Sequence, residues 1–195
     1  MGIDMVSFLG DVLQTRDEQL VRWIAERSEV RWFGKKELIH KIGETSPSID
    51  LLVSGLVRGF FQDHGGKEIT DCFECTPGAP LVSSFELGRP STINLEALEE
   101  TVAVSFPLQD FLPLVHNPVI TDVYLRFLSR SLQRHWEAKL MVAQYPAAER
   151  YAWFTRSYPG LIDRVSHRYV ASFLGITPVT LSRVRAAAGC PGKSD

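Results

Sequence analysis

Two cysteines three residues apart, Cys72 and Cys75, are the first side chains in this 195-residue sequence whose types and spacing suit chemistry. A C-x-x-C pair serves a metal ion or a dithiol couple. In a strand, however, side chains alternate between faces, so residues three apart diverge. No second pair completes a ligand set, and the third cysteine, Cys190, is far along the chain. The expectation is therefore buried thiols and no metal. The five histidines, at 40, 64, 116, 135 and 167, lack HxxH or HxxxH spacing, and none is assigned to a metal or haem. With no nucleophile elbow, phosphate-cradling glycine loop or HExxH, no catalytic residue and no cofactor are expected. A different chemistry gathers near the C-terminus. Thr177, Val179, Thr180, Ser182, Arg183 and Arg185, with Arg168 upstream, offer hydroxyls, an apolar methyl surface and guanidinium groups, which recognise a partner rather than break its bonds.

Those side chains need a scaffold, and His167 to Arg185, HRYVASFLGITPVTLSRVR, supplies one. Val170, Leu174, Ile176, Leu181 and Val184 are spaced to pack one short helix on another, and Ala171 is the small residue at their crossing. Gly175 falls where the chain must turn and takes a left-handed conformation without strain. Thr177 caps the second helix and Pro178 fills its first turn, where a missing N–H costs nothing. The pattern is a helix-turn-helix. Thr180, Ser182, Arg183 and Arg185 are then expected on the outward side of the second helix, facing the major groove of double-stranded DNA, with Val179 placed to meet a thymine methyl.

Charge is divided in the same sense. The first 116 residues hold 10 Lys and Arg against 18 Asp and Glu, and the last 79 hold 11 against 5, so only the rear half suits a polyanion. The apolar runs are shorter than the roughly 18–20 residues of a membrane span, and the N-terminus lacks a signal-peptide pattern. A cytoplasmic location without membrane contact is expected, in keeping with three cysteines and no disulfide framework.

Upstream, residues 4–28 carry apolar positions at helical spacing, broken at Gln14 to Asp17, and predict two short helices. From Glu29 to Pro107 the period shortens: EVRWF, ELIHKI, DLLVSGLVRGFFQD, KEITDCFEC, STINLEALEE and TVAVSFP form an antiparallel β domain. Asp63 to Lys67 is the clearest hairpin loop, and Gly55 marks a second reversal. Asn117 and Pro118 then open one long helix to Tyr145, whose face of Ile120, Tyr124, Phe127, Leu128 and Leu132 is expected to join two copies of the chain. Pro146 ends it, a helix over Ala147 to Ser157 follows, and Leu161 to Ser166 connects to the helix-turn-helix. The expected domains are 1–116, a β jelly roll with flanking helices, 117–145, the dimerisation helix, and 146–195, the helix-turn-helix domain, an α+β architecture.

In LLVSGLVRGFFQDHGGKEIT, NLEALEETVAVSFP and PAAERYAWF followed by RVSHRYVASFLGITPVTLSRVR, the chain resembles the Crp/Fnr transcription regulators over nearly its whole length. The resemblance implies a cyclic-nucleotide-binding-like jelly roll, a homodimer and two recognition helices in successive major grooves. It departs at the ligand site. Where cyclic-nucleotide binders carry Pro-Arg-x-Ala for the phosphate, Pro90 is followed by Ser91, and GAPLVSSFE has no Gly-Glu pair. A hydroxyl does not replace a bidentate guanidinium, so cAMP is not the expected effector. Arg89, Ser91 and Ser83 remain candidates for another small molecule, or the pocket holds nothing. The early recognition-helix positions that carry an arginine and a glutamate in the family are Pro178 and Val179 here, and only the later Arg183 is retained. The expectation is a homodimeric transcription regulator that binds DNA. The alternatives are a ligand-binding or protein-interaction module of the same fold that has lost specific DNA binding, and a redox sensor working through Cys72 and Cys75.

Overall fold

Asp4 and Asp17 start the two N-terminal helices by accepting hydrogen bonds from backbone N–H groups in the first turn of each, Ser7 at 3.1 Å and Leu20 at 3.0 Å. A computed structural model of the chain describes residues 3–189 and places these helices at Met5–Leu13 (α1) and Glu18–Ala25 (α2). Leu9, Leu13, Val21 and Ile24 bury their apolar faces in a cluster with Val104, Phe106 and Ile120. Seven strands follow: Glu29–Phe33 (β1), Leu38–His40 (β2), Ser48–Ser54 (β3), Val57–Gln62 (β4), Glu68–Glu74 (β5), Asn94–Ala97 (β6) and Thr101–Pro107 (β7). They form two sheets, ordered β1-β7-β3 and β2-β6-β4-β5. Registers such as Val30 with Val104 and Gly59 with Leu95 bring alternate apolar residues to one side. The resulting core holds Phe33, Ile39, Leu52, Val57, Leu81, Leu95, Ala97 and Ala103.

Glycine is required at the β3–β4 reversal. Gly55 has φ +110°, and a Cβ there would lie 2.7 Å from the Thr101 Cα, a backbone atom that cannot swing aside. The other hairpin loop, between β4 and β5, is tied by Asp63, whose carboxylate accepts from the backbone N–H of Gly65 at 2.8 Å and of Lys67 at 3.0 Å.

After a short helix, Leu108–Phe111 (α3), and a 3₁₀ turn over Leu112–His116, the long helix runs over Pro118–Gln144 (α4). Asn117 caps it through its side-chain oxygen, 2.9 Å from the Val119 N–H, and Pro118 occupies its first position. The remaining helices are Ala147–Ser157 (α5), Leu161–Arg164 (α6), His167–Phe173 (α7) and Pro178–Ala187 (α8). The stretch expected as a plain connection thus contains the single turn of α6, opened by Gly160 at φ +73°.

The chain divides into two compact units, Met1–Phe61 with Phe73–Arg130 and Gln62–Cys72 with Ser131–Asp195. The second unit buries Tyr151, Phe154, Leu161, Val165, Val170, Phe173, Leu174 and Leu181. Trp153 stacks on Phe173 at 6.0 Å between centroids, and Tyr158 meets the edge of Phe173 at 5.8 Å. Within the same unit, strand β5 meets α7 through one side chain: the Ser172 hydroxyl accepts from the Thr70 N–H at 2.9 Å and donates to the Glu68 carbonyl at 3.3 Å.

The apolar face of α4 differs from the expected one. Ile120 is buried in its own chain's core, Val123 packs beside it, and the Tyr124 hydroxyl donates to the Phe85 carbonyl at 3.4 Å. Phe127 and Leu128 are half-buried, and of the five expected residues only Leu132 is exposed. The open stripe is Leu125, Leu132 and Trp136, at 56%, 66% and 56% exposure. Helical periodicity reveals that a helix has an apolar face, but the first turns of this helix find their cover within the β domain.

Candidate nucleic-acid interface

The turn between α7 and α8 is built almost entirely from local rules. Gly175 sits at φ +63°, and the Ile176 N–H reaches back to the Ala171 carbonyl at 2.9 Å, closing α7 in a Schellman-type turn. Thr177 then caps α8, its hydroxyl oxygen 3.1 Å from the Thr180 N–H, and Pro178 takes the first helical position. One support is not local. Arg150 on α5 donates from Nη1 to the carbonyls of Leu174 (3.0 Å) and Gly175 (3.4 Å), and from Nε to the Tyr145 carbonyl at 2.6 Å. A single guanidinium therefore ties the end of α4 to the turn, and its planar fork suits that geometry. Nothing in the spacing marks this role, since the partners are backbone carbonyls 24 and 25 positions away.

On α8 the packing side is Leu181, with Val184 half-buried. The opposite side presents Val179, 61% exposed, with Ser182 and Arg183 also exposed and Thr180 half-buried. Thr177 is exposed at the helix start. Arg168 is exposed on α7, its guanidinium 4.7 Å from the Tyr169 ring and its Nη2 donating to the Tyr169 hydroxyl at 2.8 Å.

Arg185 is not on the outward side. It is 5% exposed, and its Nη1 donates to His167 Nε2 in close contact and lies 3.3 Å from Nδ1 of the same ring. The reason is plain in the helix itself: position 185 is four residues after Leu181 and shares its face. Arg185 fastens α8 to the start of α7 rather than standing ready for DNA.

The three residues expected at an effector site also separate. Arg89 is exposed and pairs with Glu86, Nε to Oε2 3.0 Å, two side chains in solvent. Ser83 and Ser91 are both buried, with hydroxyls 2.7 Å apart. Ser83 in turn lies 2.9 Å from His40 Nδ1, and His40 Nε2–H donates to the Asp50 carboxylate at 2.7 Å. Asp50 also accepts from the hydroxyls of Ser48 (3.0 Å) and Ser105, and the Arg31 guanidinium lies 4.0 Å from it. Burial pushes the Asp50 carboxyl up, but the hydrogen bonds from His40, Ser105 and Ser48 outweigh this and hold it below its ordinary range. His40 and Asp50 escaped the sequence reading because their partners come from separate strands and loops.

A third grouping also went unseen. His135 on α4 meets Asp71 and Cys72 of β5, where the sequence predicts buried thiols and assigns no histidine to a metal or haem. Cys72 and Cys75 are half-buried and form no disulfide. Hydrogen bonding to Asp71 and then to Cys72 outweighs burial and raises the His135 imidazole to about 10, so it is cationic at neutral pH.

No family model matches the sequence, and no curated protein matches it. Solved structures do share the fold. FixK2 from Bradyrhizobium japonicum superposes with a TM-score of 0.72 at 20% identity, over 86% of this chain and 89% of that one. The c-di-GMP-responsive global regulator CLP of Xanthomonas campestris gives 0.71 at 15% identity, over 90% and 94%. A CRP/FNR-family transcriptional regulator from Thermus thermophilus gives 0.68 at 19%, over 86% and 90%. The fold is that of these regulators along both units.

Proposed function

From a fold shared with Crp/Fnr regulators, we propose that this chain is a transcription regulator of that family, a homodimer that places α8 in the major groove of double-stranded DNA. The observation that carries the reading is the two-sidedness of α8. Leu181 and Arg185 hold one side in the protein, while Val179, Ser182 and Arg183 stand free of it on the other. Thr177, Thr180 and Arg168 flank them and suit phosphates or base edges. Arg183 is the side chain suited to a bidentate contact with guanine, and Val179 to a thymine methyl.

The second copy covers Leu125, Leu132 and Trp136 of α4. Three large apolar side chains on a helix surface otherwise lie open to water, and the spacing of seven and four residues is that of a helix–helix seam. The effector is not cAMP: the serine standing where the phosphate-binding arginine belongs is buried and bonded to Ser83 rather than open to a ligand. In this reading residues 1–116 are sensory, 117–145 dimerise and 146–195 read DNA.

Selection of genomic fragments by the purified chain, followed by affinity measurement against random DNA at stated salt and with or without cAMP, tests the proposal. A fragment bound at least roughly 1,000-fold more tightly than random DNA, unchanged by cAMP, is the expected outcome. Equal affinity for all DNA would overturn it in favour of an interaction module.

A further inference from the structure

The side chains of Asp71, Cys72 and His135 converge although they are far apart in sequence. One ligand atom from each, a carboxylate oxygen, the thiol sulfur and an imidazole nitrogen, lies within 4.8 Å of the others. Asp71 Oδ2 and His135 Nε2 are 3.2 Å apart. Neighbours in a strand ordinarily point to opposite faces, yet here Asp71 and Cys72 both direct a donor atom toward the same imidazole. All three belong to the second unit, two on β5 and one on α4.

From this convergence we infer that Asp71, Cys72 and His135 form a binding site for a borderline-soft divalent transition metal, zinc by its ligand chemistry. Metal–ligand bonds of about 2.0–2.3 Å at tetrahedral angles put donor atoms roughly 3.3–3.6 Å apart. The oxygen–nitrogen pair, at 3.2 Å, is within about 0.1 Å of that spacing, and the sulfur lies within 4.8 Å of both.

The orientation of His135 supports the same reading. Its Nδ1–H donates to the Ser131 carbonyl one turn earlier, at 2.9 Å, which turns Nε2 toward Asp71 and Cys72. A metal-binding histidine is held in this way, one nitrogen anchored to a backbone oxygen and the other presented. A thiolate and an imidazole select against magnesium and calcium, which take all-oxygen sets. Three protein ligands leave a fourth position for water or an exchangeable group, as in zinc sites that are not purely structural. With His135 and Asp71 side chains 34% and 31% exposed, an ion has a path from solvent. On binding, the Cys72 thiol and His135 Nε2 each release a proton to solvent, and the cation bridges β5 to α4.

The site stands independently of DNA recognition, and titration of the metal-free full-length chain with cobalt(II) and zinc tests it. One equivalent of cobalt is expected to bind with a thiolate-to-metal charge-transfer absorption, zinc to displace it, and magnesium to have no effect. Cys72→Ser should remove the charge-transfer band. Asp71→Asn and His135→Gln should each weaken binding by more than the roughly 10- to 100-fold that loss of an outer-shell hydrogen bond costs. Cys75→Ser should bind as the parent does. Melting in the absence of metal checks that each variant folds, and any that does not is replaced by Cys72→Ala, Asp71→Ser or His135→Asn. No cobalt binding, or binding that survives all three ligand changes, overturns the site and leaves an ion pair beside a thiol.

Discussion

Two arginines on α8, at positions 183 and 185, are expected to fail in opposite ways when truncated. Arg183 is exposed, whereas Leu181 on the other side of α8 is buried, so Arg183→Ala should melt with the parent. If it contacts a guanine, its loss removes roughly 1–3 kcal/mol of discrimination, about a 5- to 150-fold fall in affinity for the target and little change for random DNA. If it contacts a phosphate, both affinities fall together and the salt slope flattens by about 1. Arg185, at 5% exposure, should behave as a packing residue. Removing it loses a charged hydrogen bond to His167 and the contacts of its buried stem, roughly 2–4 kcal/mol, or a melting point lower by about 4–16 °C. Fluorescence anisotropy across a salt series and a thermal melt, run on both variants, separate the two roles. Wild-type DNA affinity for Arg183→Ala at every salt would refute the outward reading face, and a wild-type melt for Arg185→Ala would refute the buried clasp.

For the dimer, Leu132→Asp with Trp136→Asp should yield monomers in sedimentation. Symmetry doubles the loss to four side chains at about 1.5–3 kcal/mol each, and a persisting dimer would place the interface elsewhere. For the buried network, a carboxyl held below its ordinary 3.8 stabilises the fold above that pH and loses the contribution as the pH falls through its folded value. The stability gap between the parent and Asp50→Asn, measured by urea unfolding from pH 7 to pH 3, should therefore narrow below about pH 4; a constant gap would remove Asp50 from acid sensitivity. At the β3–β4 reversal, Gly55→Ala combines backbone strain with overlap on Thr101, roughly 1–3 kcal/mol from each, and a melt within about 2 °C of the parent would contradict that geometry.

The parts legible in the sequence are those whose causes are local. Gly175, Thr177 and Pro178 determine their turn within four residues, and Asn117, Pro118 and Pro146 bound α4 and α5 because a cap or a missing N–H acts at its own position. Strand pairings were legible as an antiparallel domain, since Gly55 and the Asp63 loop force reversals. Arg185 was misplaced for a different reason: its charge suggested solvent, whereas the same 3.6-residue period that put Leu181 inward put Arg185 there too. Ile120 and Leu132 share an apolar character but not a fate, because the neighbours that cover Ile120 lie on α1, α2 and β7. The His40–Asp50–Ser83 network and the meeting of His135 with Asp71 depend on separations of up to 64 positions, which no spacing rule spans.

Ser172 has a bearing on the open margin of the second sheet. Strand β5 lies at the margin of its sheet, where an open row of backbone donors and acceptors is a template for the strand of another molecule. The hydroxyl that takes the Thr70 N–H and gives to the Glu68 carbonyl offers that margin what one residue of a neighbouring strand would offer. A side chain from α7 thus substitutes for a rung of the ladder, and a strand of another molecule pairing along β5 would have to displace it.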